Sequence, residues 1–352
     1  MPKLGTFIRS AAVTALAGLV AAVAVTAAGA APAKRSATVL QGAGSSLVAP
    51  ALAIWQPLYS QARGVVVNYA SVGSGAGIAA ITSRTVDFGA SDAPLTPDQA
   101  TACNNCVQIP WALTATVPVY NIPGVADTAL KLDGPTLANI FLGTIKTWNA
   151  AAIKKLNPGL NLPNTNITVV HRSDGSGDTY VFSDYLSKVS KTWANQVGSA
   201  TSINWPTGIG GKGNSGVAAV VKETTGSIGY ISDAYVLQNH IAKARLKNAA
   251  GHYTLPSLTS IESAAQLVTK VPADNKISLT DPPSSKKYKY AWPLSTFTYI
   301  IIPMQTDKAK LLKNFVSWAL THGQAPIRKY VFAPMPLVVV RAANKSLGKI
   351  HT

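Results

Sequence analysis

The chain has 352 residues, 47% of them hydrophobic and 13% charged, and its 31 Lys and Arg against 14 Asp and Glu give a formal net charge of +17. These proportions exclude a disordered chain and leave room for two domains of ordinary size. The basic excess suits an anionic ligand or an acidic partner surface. Nucleic acid is not expected as a partner, because the C-terminal lysines (Lys286, Lys287, Lys289, then Lys308, Lys310, Lys313) are scattered and no recognition motif accompanies them.

In chain order, Lys3 and Arg9 precede an uncharged run from Ala11 to Ala31, followed by the small-residue sites Ala28-Gly29-Ala30 and Ala31-Pro32-Ala33. This predicts a secretory signal peptide over residues 1–33. An uncleaved membrane anchor is the rival reading, disfavoured because alanine contributes little apolar area. No cysteine stands directly after the leader, where a lipid anchor would need one, so none is expected, and the protein should diffuse freely in a periplasm.

The remainder alternates strand-like and helical stretches, the pattern of an α/β fold. Val65 to Tyr69, Ile167 to Val170 and Thr298 to Ile302 read as strands; Leu137 to Phe141, Ala150 to Leu156 and Ala309 to Leu320 have helical spacing. Pro57 falls within a helical face formed by Ile54, Trp55, Leu58 and Tyr59, which predicts a bent or short helix there. Cys103 and Cys106, the two cysteines of the chain, are read as a small disulfide loop in an exported protein; redox chemistry or half a zinc site would need partners that the sequence lacks.

Four Gly/Ser segments carry the chemistry: Gly42-Ala-Gly-Ser-Ser46, Val72-Gly-Ser-Gly-Ala-Gly77, Asp87-Phe-Gly-Ala-Ser-Asp92 and His171-Arg-Ser-Asp-Gly-Ser-Gly-Asp178. Each places backbone N–H groups and small hydroxyls where an apolar run gives way to a turn, as oxyanion sites do. Two of them end in a carboxylate and one carries Arg172, so the site should both hold an anion and test whether it bears a proton. Phosphate fits: near neutral pH it is charged and still protonated. Asp92, when ionised, only accepts; it gains a bond from a P–OH group and repels fully deprotonated sulfate. Such a site can reject the analogue lacking the donor by roughly 10⁴ to 10⁵.

Over the stretch from Gly42 to Trp292-Pro293 the chain resembles the periplasmic phosphate-binding proteins of high-affinity phosphate ABC transporters. The likeness extends to Leu142-Gly-Thr-Ile-Lys-Thr-Trp148, Lys155-Leu-Asn-Pro-Gly159 and Gly210-Gly-Lys-Gly-Asn214. It implies a two-lobed α/β fold of the type II periplasmic binding class, each lobe a mixed sheet flanked by helices, with two crossing hinge segments. The lobes are expected over residues 38–115 with 298–352, and over residues 116–297. The resemblance implies phosphate ligands at Ser46, Leu47 (through its backbone N–H), Ser74, Asp92, Arg172, Ser176, Gly177 and Asp178, with Asp174 orienting Arg172. Asp178 stands where many relatives carry threonine. If it faces the ligand, affinity holds or rises as pH falls from about 8 to 6; if it pairs with Arg172, the dependence is flatter. The resemblance also implies a monomer that serves a membrane permease and its ATPase, without cofactor or metal.

The blander alternatives have definite forms. Gly208 to Gly216 superficially resembles a dinucleotide loop, but lacks the strand, helix and downstream acid in frame. Asp87 is expected to cap or flank a strand, His171 to be structural, and Trp148, Trp205 and Trp292 to pack the core. The competing functions are a secreted phosphatase and a binder of another oxyanion. Phosphoryl transfer needs an activated nucleophile or a metal, and neither a G-x-S-x-G elbow nor a His/Asp cluster with metal-ligand spacing occurs.

Overall fold

The structure, a computed structural model, describes residues 38–352; the leader expected over residues 1–33 lies outside the described residues. Among those described, no helix is long and apolar enough to cross a membrane.

Three short parallel strands open the fold: β1 (Thr38–Gly44), β2 (Val65–Ser71) and β3 (Phe88–Ser91), with β1 between the other two. Parallel strands need long crossovers. Helices α1 (Ala49–Arg63) and α2 (Ser74–Thr82) supply them. Helix α1 is not short: it runs 15 residues through Pro57. Pro57 and Ala53, whose carbonyl loses its intrahelical partner, are both exposed, so water takes the freed acceptor and the cost that proline carries in a buried helix is reduced.

After α3 (Pro97–Ala102), a disulfide joins Cys103 to Cys106. Strand β4 (Cys106–Asn121) then runs 16 residues. Its Cys106–Ala115 half pairs antiparallel with β12, its Thr116–Asn121 half with β8. The strand thus changes partners at Ala115/Thr116. Sequence reading does not anticipate it, because Pro110 and Pro118 argue against a central strand. Pro110 is accommodated at a register shift opposite Thr298/Tyr299 that leaves Trp111 as the extra residue.

The chain continues through β5 (Lys131–Leu132), α4 (Gly134–Phe141), α5 (Ala151–Leu156), β6 (Thr168–Arg172), α6 (Gly177–Val189), α7 (Lys191–Gln196), β7 (Ile209–Gly211), α8 (Gly213–Glu223) and β8 (Ser227–Ser232). Then follow α9 (Asp233–Asn239), β9 (Ala242–Lys243), β10 (Arg245–Lys247), β11 (Tyr253–Thr254), α10 (Leu258–Ala265), β12 (Ser295–Pro303), α11 (Ala309–Thr321), α12 (Gln324–Ile327) and α13 (Leu337–Leu347). The main sheet is mixed, in the order β2-β1-β3-β12-β4-β8-β6-β7 with β9 on β4; β11-β10-β5 form a small second sheet. Gly208 to Gly216 does run from a strand into a helix, contrary to the sequence reading. The strand is three residues long, and Ile209-Gly-Gly is ordered by parallel pairing to β6 rather than by propensity.

Two aromatic clusters fill the interior. Trp55, Tyr59, Phe88, Trp111, Phe315 and Trp318 pack beside β1, β3 and β4, while Phe141, Phe182, Trp193, Trp205 and Tyr230 pack beside β6 and β8. Each such pair adds about 0.5–1.5 kcal/mol beyond its area burial. Trp148 and Trp292 are buried as well. Asp87 flanks β3, where it accepts the Gln41 N–H at 2.7 Å and pairs with Lys308 at 2.8 Å.

Candidate functional site

The four Gly/Ser segments meet. Ser45 and Ser46 follow β1 and lead into α1, Ser74 opens α2, and Asp92 follows β3. From the other group of strands, Arg172 ends β6, Ser176 caps α6 by accepting the Thr179 N–H at 3.2 Å, and Gly177 and Asp178 form the first turn of α6. Ser46, Ser74, Asp92, Arg172, Ser176 and Asp178 are all buried.

Hydrogen bonds join the two groups. Ser74 Oγ accepts the N–H of Gly177 at 3.0 Å and that of Asp92 at 3.3 Å, and lies 3.4 Å from Asp92 Oδ2. The Gly75 N–H donates to the Gly175 carbonyl at 2.9 Å. Glycine is required at Gly177, where a Cβ would lie 2.3 Å from Asp92 Oδ2 and 2.5 Å from Asp92 Cβ.

Arg172 is held by two carboxylates. Its Nε and Nη2 donate to Asp174 at 2.7 and 2.5 Å, and its Nη1 to Asp178 at 3.2 Å. Asp174 also accepts the Gly213 N–H at 2.9 Å. Asp178 is paired with Arg172 here, and its oxygens further accept Thr116 Oγ1 at 2.7 Å and Asn214 Nδ2 at 2.7 Å. The same Asn214 amide donates to Ser46 Oγ at 2.9 Å, while its Oδ1 accepts the Ser232 N–H. The Leu47 N–H donates to Ser45 Oγ at 3.0 Å.

Two carboxylates therefore pair with the guanidinium, and a third, Asp92, lies within its electrostatic influence. Burial, and after it the charge of Asp178, raise the Asp92 carboxyl to about 7, against the lowering influence of the Ser45 hydrogen bond, the Thr298 hydroxyl and Arg172. Burial also lifts Asp178 above the ordinary carboxylate range, although Arg172, Thr116 and Asn214 all favour its charged form. At Asp174 burial is outweighed by the hydrogen bond and charge of Arg172, and the carboxyl is lowered. His171 lies at the margin: its ring stacks on Trp205 at 4.8 Å, its Nδ1 is 3.0 Å from the Arg172 carbonyl, and burial lowers its pKa.

Three participants escape the sequence reading. Ser45 is inside the first Gly/Ser segment but has no matching role in the resemblance. Asn214 ends the Gly210-Gly-Lys-Gly stretch, which looks structural. Thr116 lies in an apolar run with no local signal. Chemically the site offers hydroxyl, amide and guanidinium donors around an acceptor carboxylate, a match for a tetrahedral oxyanion that carries a proton.

The mixed sheet, the long strand shared by two groups of strands, and a buried anion-type site between them define a binding protein of the type II periplasmic class. The model of the PBP superfamily domain matches residues 28–322. A phosphate-binding protein PstS of Xylella fastidiosa is 43% identical over 86% of this chain and 83% of its own. One of Haemophilus influenzae is 42% identical over 86% of this chain and 90% of its own. Among solved structures, a phosphate binding protein from Stenotrophomonas maltophilia superposes with a TM-score of 0.66 at 20% identity, covering 88% of this chain and 94% of that one. The chain belongs to the PBP superfamily and, within it, to the family of the PstS phosphate-binding proteins.

Proposed function

We propose that the chain captures inorganic phosphate at this site and delivers it to an ABC transporter in the membrane, acting as a binder and not as an enzyme. The observation that carries the reading is the surrounding of Asp92: a buried acceptor carboxylate set among Ser74, the Gly177 N–H and the Arg172–Asp178 pair. Facing a P–OH group it gains a charge-assisted hydrogen bond; facing an anion without a proton it presents a like charge. Ser46, Leu47, Ser74, Asp92, Arg172, Ser176, Gly177 and Asp178 are the proposed ligand set, with Asp174 orienting Arg172. Family membership supports the reading.

The lobes are proposed to comprise residues 38–115 with 298–352, and residues 116–297. The partner change of β4 at Ala115/Thr116 supports the first boundary, and closure by hinge motion follows from bonds to both walls. The protein is proposed to work outside the cytoplasmic membrane as a monomer, after loss of its leader, and to meet a permease served by an ATPase.

Isothermal titration of the anion-stripped protein with phosphate and with sulfate at pH 5.5 and 8 tests the reading. One-to-one binding of phosphate with no heat from sulfate at pH 8 is expected. Equal binding of sulfate at pH 8, or no phosphate heat, overturns it.

A further inference from the structure

Ser45 is buried beside the proposed ligand set and touches its acceptor. Its Oγ is 2.7 Å from Asp92 Oδ1 and 2.6 Å from Oδ2, and the same oxygen accepts the N–H groups of Leu47 at 3.0 Å and Val48 at 3.4 Å. A hydroxyl has one proton and two lone pairs. With both lone pairs facing N–H donors, the proton is committed to Asp92, and the hydroxyl cannot turn to accept one from it. The backbone leaves little freedom, since the Ser45 N–H donates to the Ala90 carbonyl at 2.9 Å and the Ser45 carbonyl accepts Tyr69 Oη at 2.7 Å. A proton on one Asp92 oxygen would leave Ser45 only the other to donate to, so the shared contact favours the ionised carboxylate.

We propose that Ser45 is a specificity-determining residue: by committing its proton to Asp92 it keeps that carboxylate an acceptor, so that the site discriminates against tetrahedral oxyanions that carry no proton. The inference rests on the reading of the site as one for phosphate.

The other groups facing Asp92 set the balance that Ser45 tips. The Thr298 hydroxyl on β12 and Arg172, at the end of β6, favour the charged carboxylate; burial and Asp178 on α6 oppose it. Asp174 reaches Asp92 only through Arg172. Tyr69 on β2 and Tyr299 on β12 carry phenols raised by burial, and they stay neutral over the working range. With Asp92 held near 7 by these opposing influences, loss of one donor shifts it further toward the protonated form at neutral pH. A protonated Asp92 donates, and sulfate accepts.

The test is a titration of wild type, S45A and S45T with phosphate and with sulfate at pH 7, paired with carbon NMR of the Asp92 carboxyl across pH. In S45A the ratio of phosphate to sulfate affinity should fall at least tenfold and the carboxyl midpoint should move up, while S45T stays near wild type. Should S45A fail to fold, S45C, with a thiol that donates weakly, takes its place. A ratio within twofold of wild type, or an equal loss for both anions, overturns the proposal. If wild type binds neither anion, the functional reading fails by itself; the NMR midpoint then decides the role of Ser45, an upward shift in S45A supporting it and an unmoved one refuting it.

Discussion

Raising the pH from the acid range to neutrality should destabilise the ligand-free protein, and Asp92 should account for much of the loss. In the unfolded chain an aspartate titrates near 3.9; in the fold burial raises Asp92 to about 7. Between these values the native state holds a proton that the unfolded state has released. Its stability therefore falls as pH rises through that window, and is unaffected by this group above it. Three units at about 1.4 kcal/mol each amount to roughly 4 kcal/mol. Asp178 is raised as well and acts in the same direction. Asp174 is lowered, so its contribution is lost only as pH falls through the acid range. D92N keeps an oxygen for Ser45 to donate to and abolishes the titration. Urea unfolding followed by tryptophan fluorescence at pH 4.5 to 8 should show wild type losing stability with rising pH and D92N losing about 3 kcal/mol less of it. Parallel curves for the two proteins between pH 5 and 8 would refute the reasoning.

Asp178→Ala removes the acceptor of three buried donors, Arg172, Thr116 and Asn214; about 3–5 kcal/mol of stability should go with it, read as a lower thermal midpoint that phosphate partly restores. Gly177→Ala drives a Cβ into Asp92, an overpacking cost of about 1–3 kcal/mol. Titration calorimetry should show it as a loss of phosphate affinity on the order of 10- to 100-fold.

How much of this was legible beforehand depended on the reach of each signal. The strands around Val65, Ile167 and Thr298, and the helix from Ala309, are dense local patterns, and the structure contains all of them within three residues at their ends. Strand β4 was illegible because it is buried on both faces and carries two prolines, so neither alternation nor propensity marks it. The Gly/Ser segments announced an anion site because turn chemistry is local. Thr116 and Asn214 did not, since their role exists only once β4 and α8 are brought to α6. The state of Asp178 was out of reach for the same reason: whether a carboxylate finds a guanidinium at 3.2 Å is decided by tertiary placement.

Thr116 occupies an unusual place in this arrangement. Its N–H donates to the Leu294 carbonyl and its own carbonyl accepts Trp292 Nε1, both at 3.0 Å, just where β4 changes partners, and its hydroxyl reaches Asp178. A residue on the spine of a book moves least when the covers part. With the lobes divided at Ala115/Thr116 as proposed, the Thr116–Asp178 bond would lie beside the division, whereas the Asn214–Ser46 and Gly177–Ser74 bonds would join its two sides. Opening would sever the outer clasps first and leave Asp178 tethered, so the guanidinium partner would be waiting in place each time the covers come together.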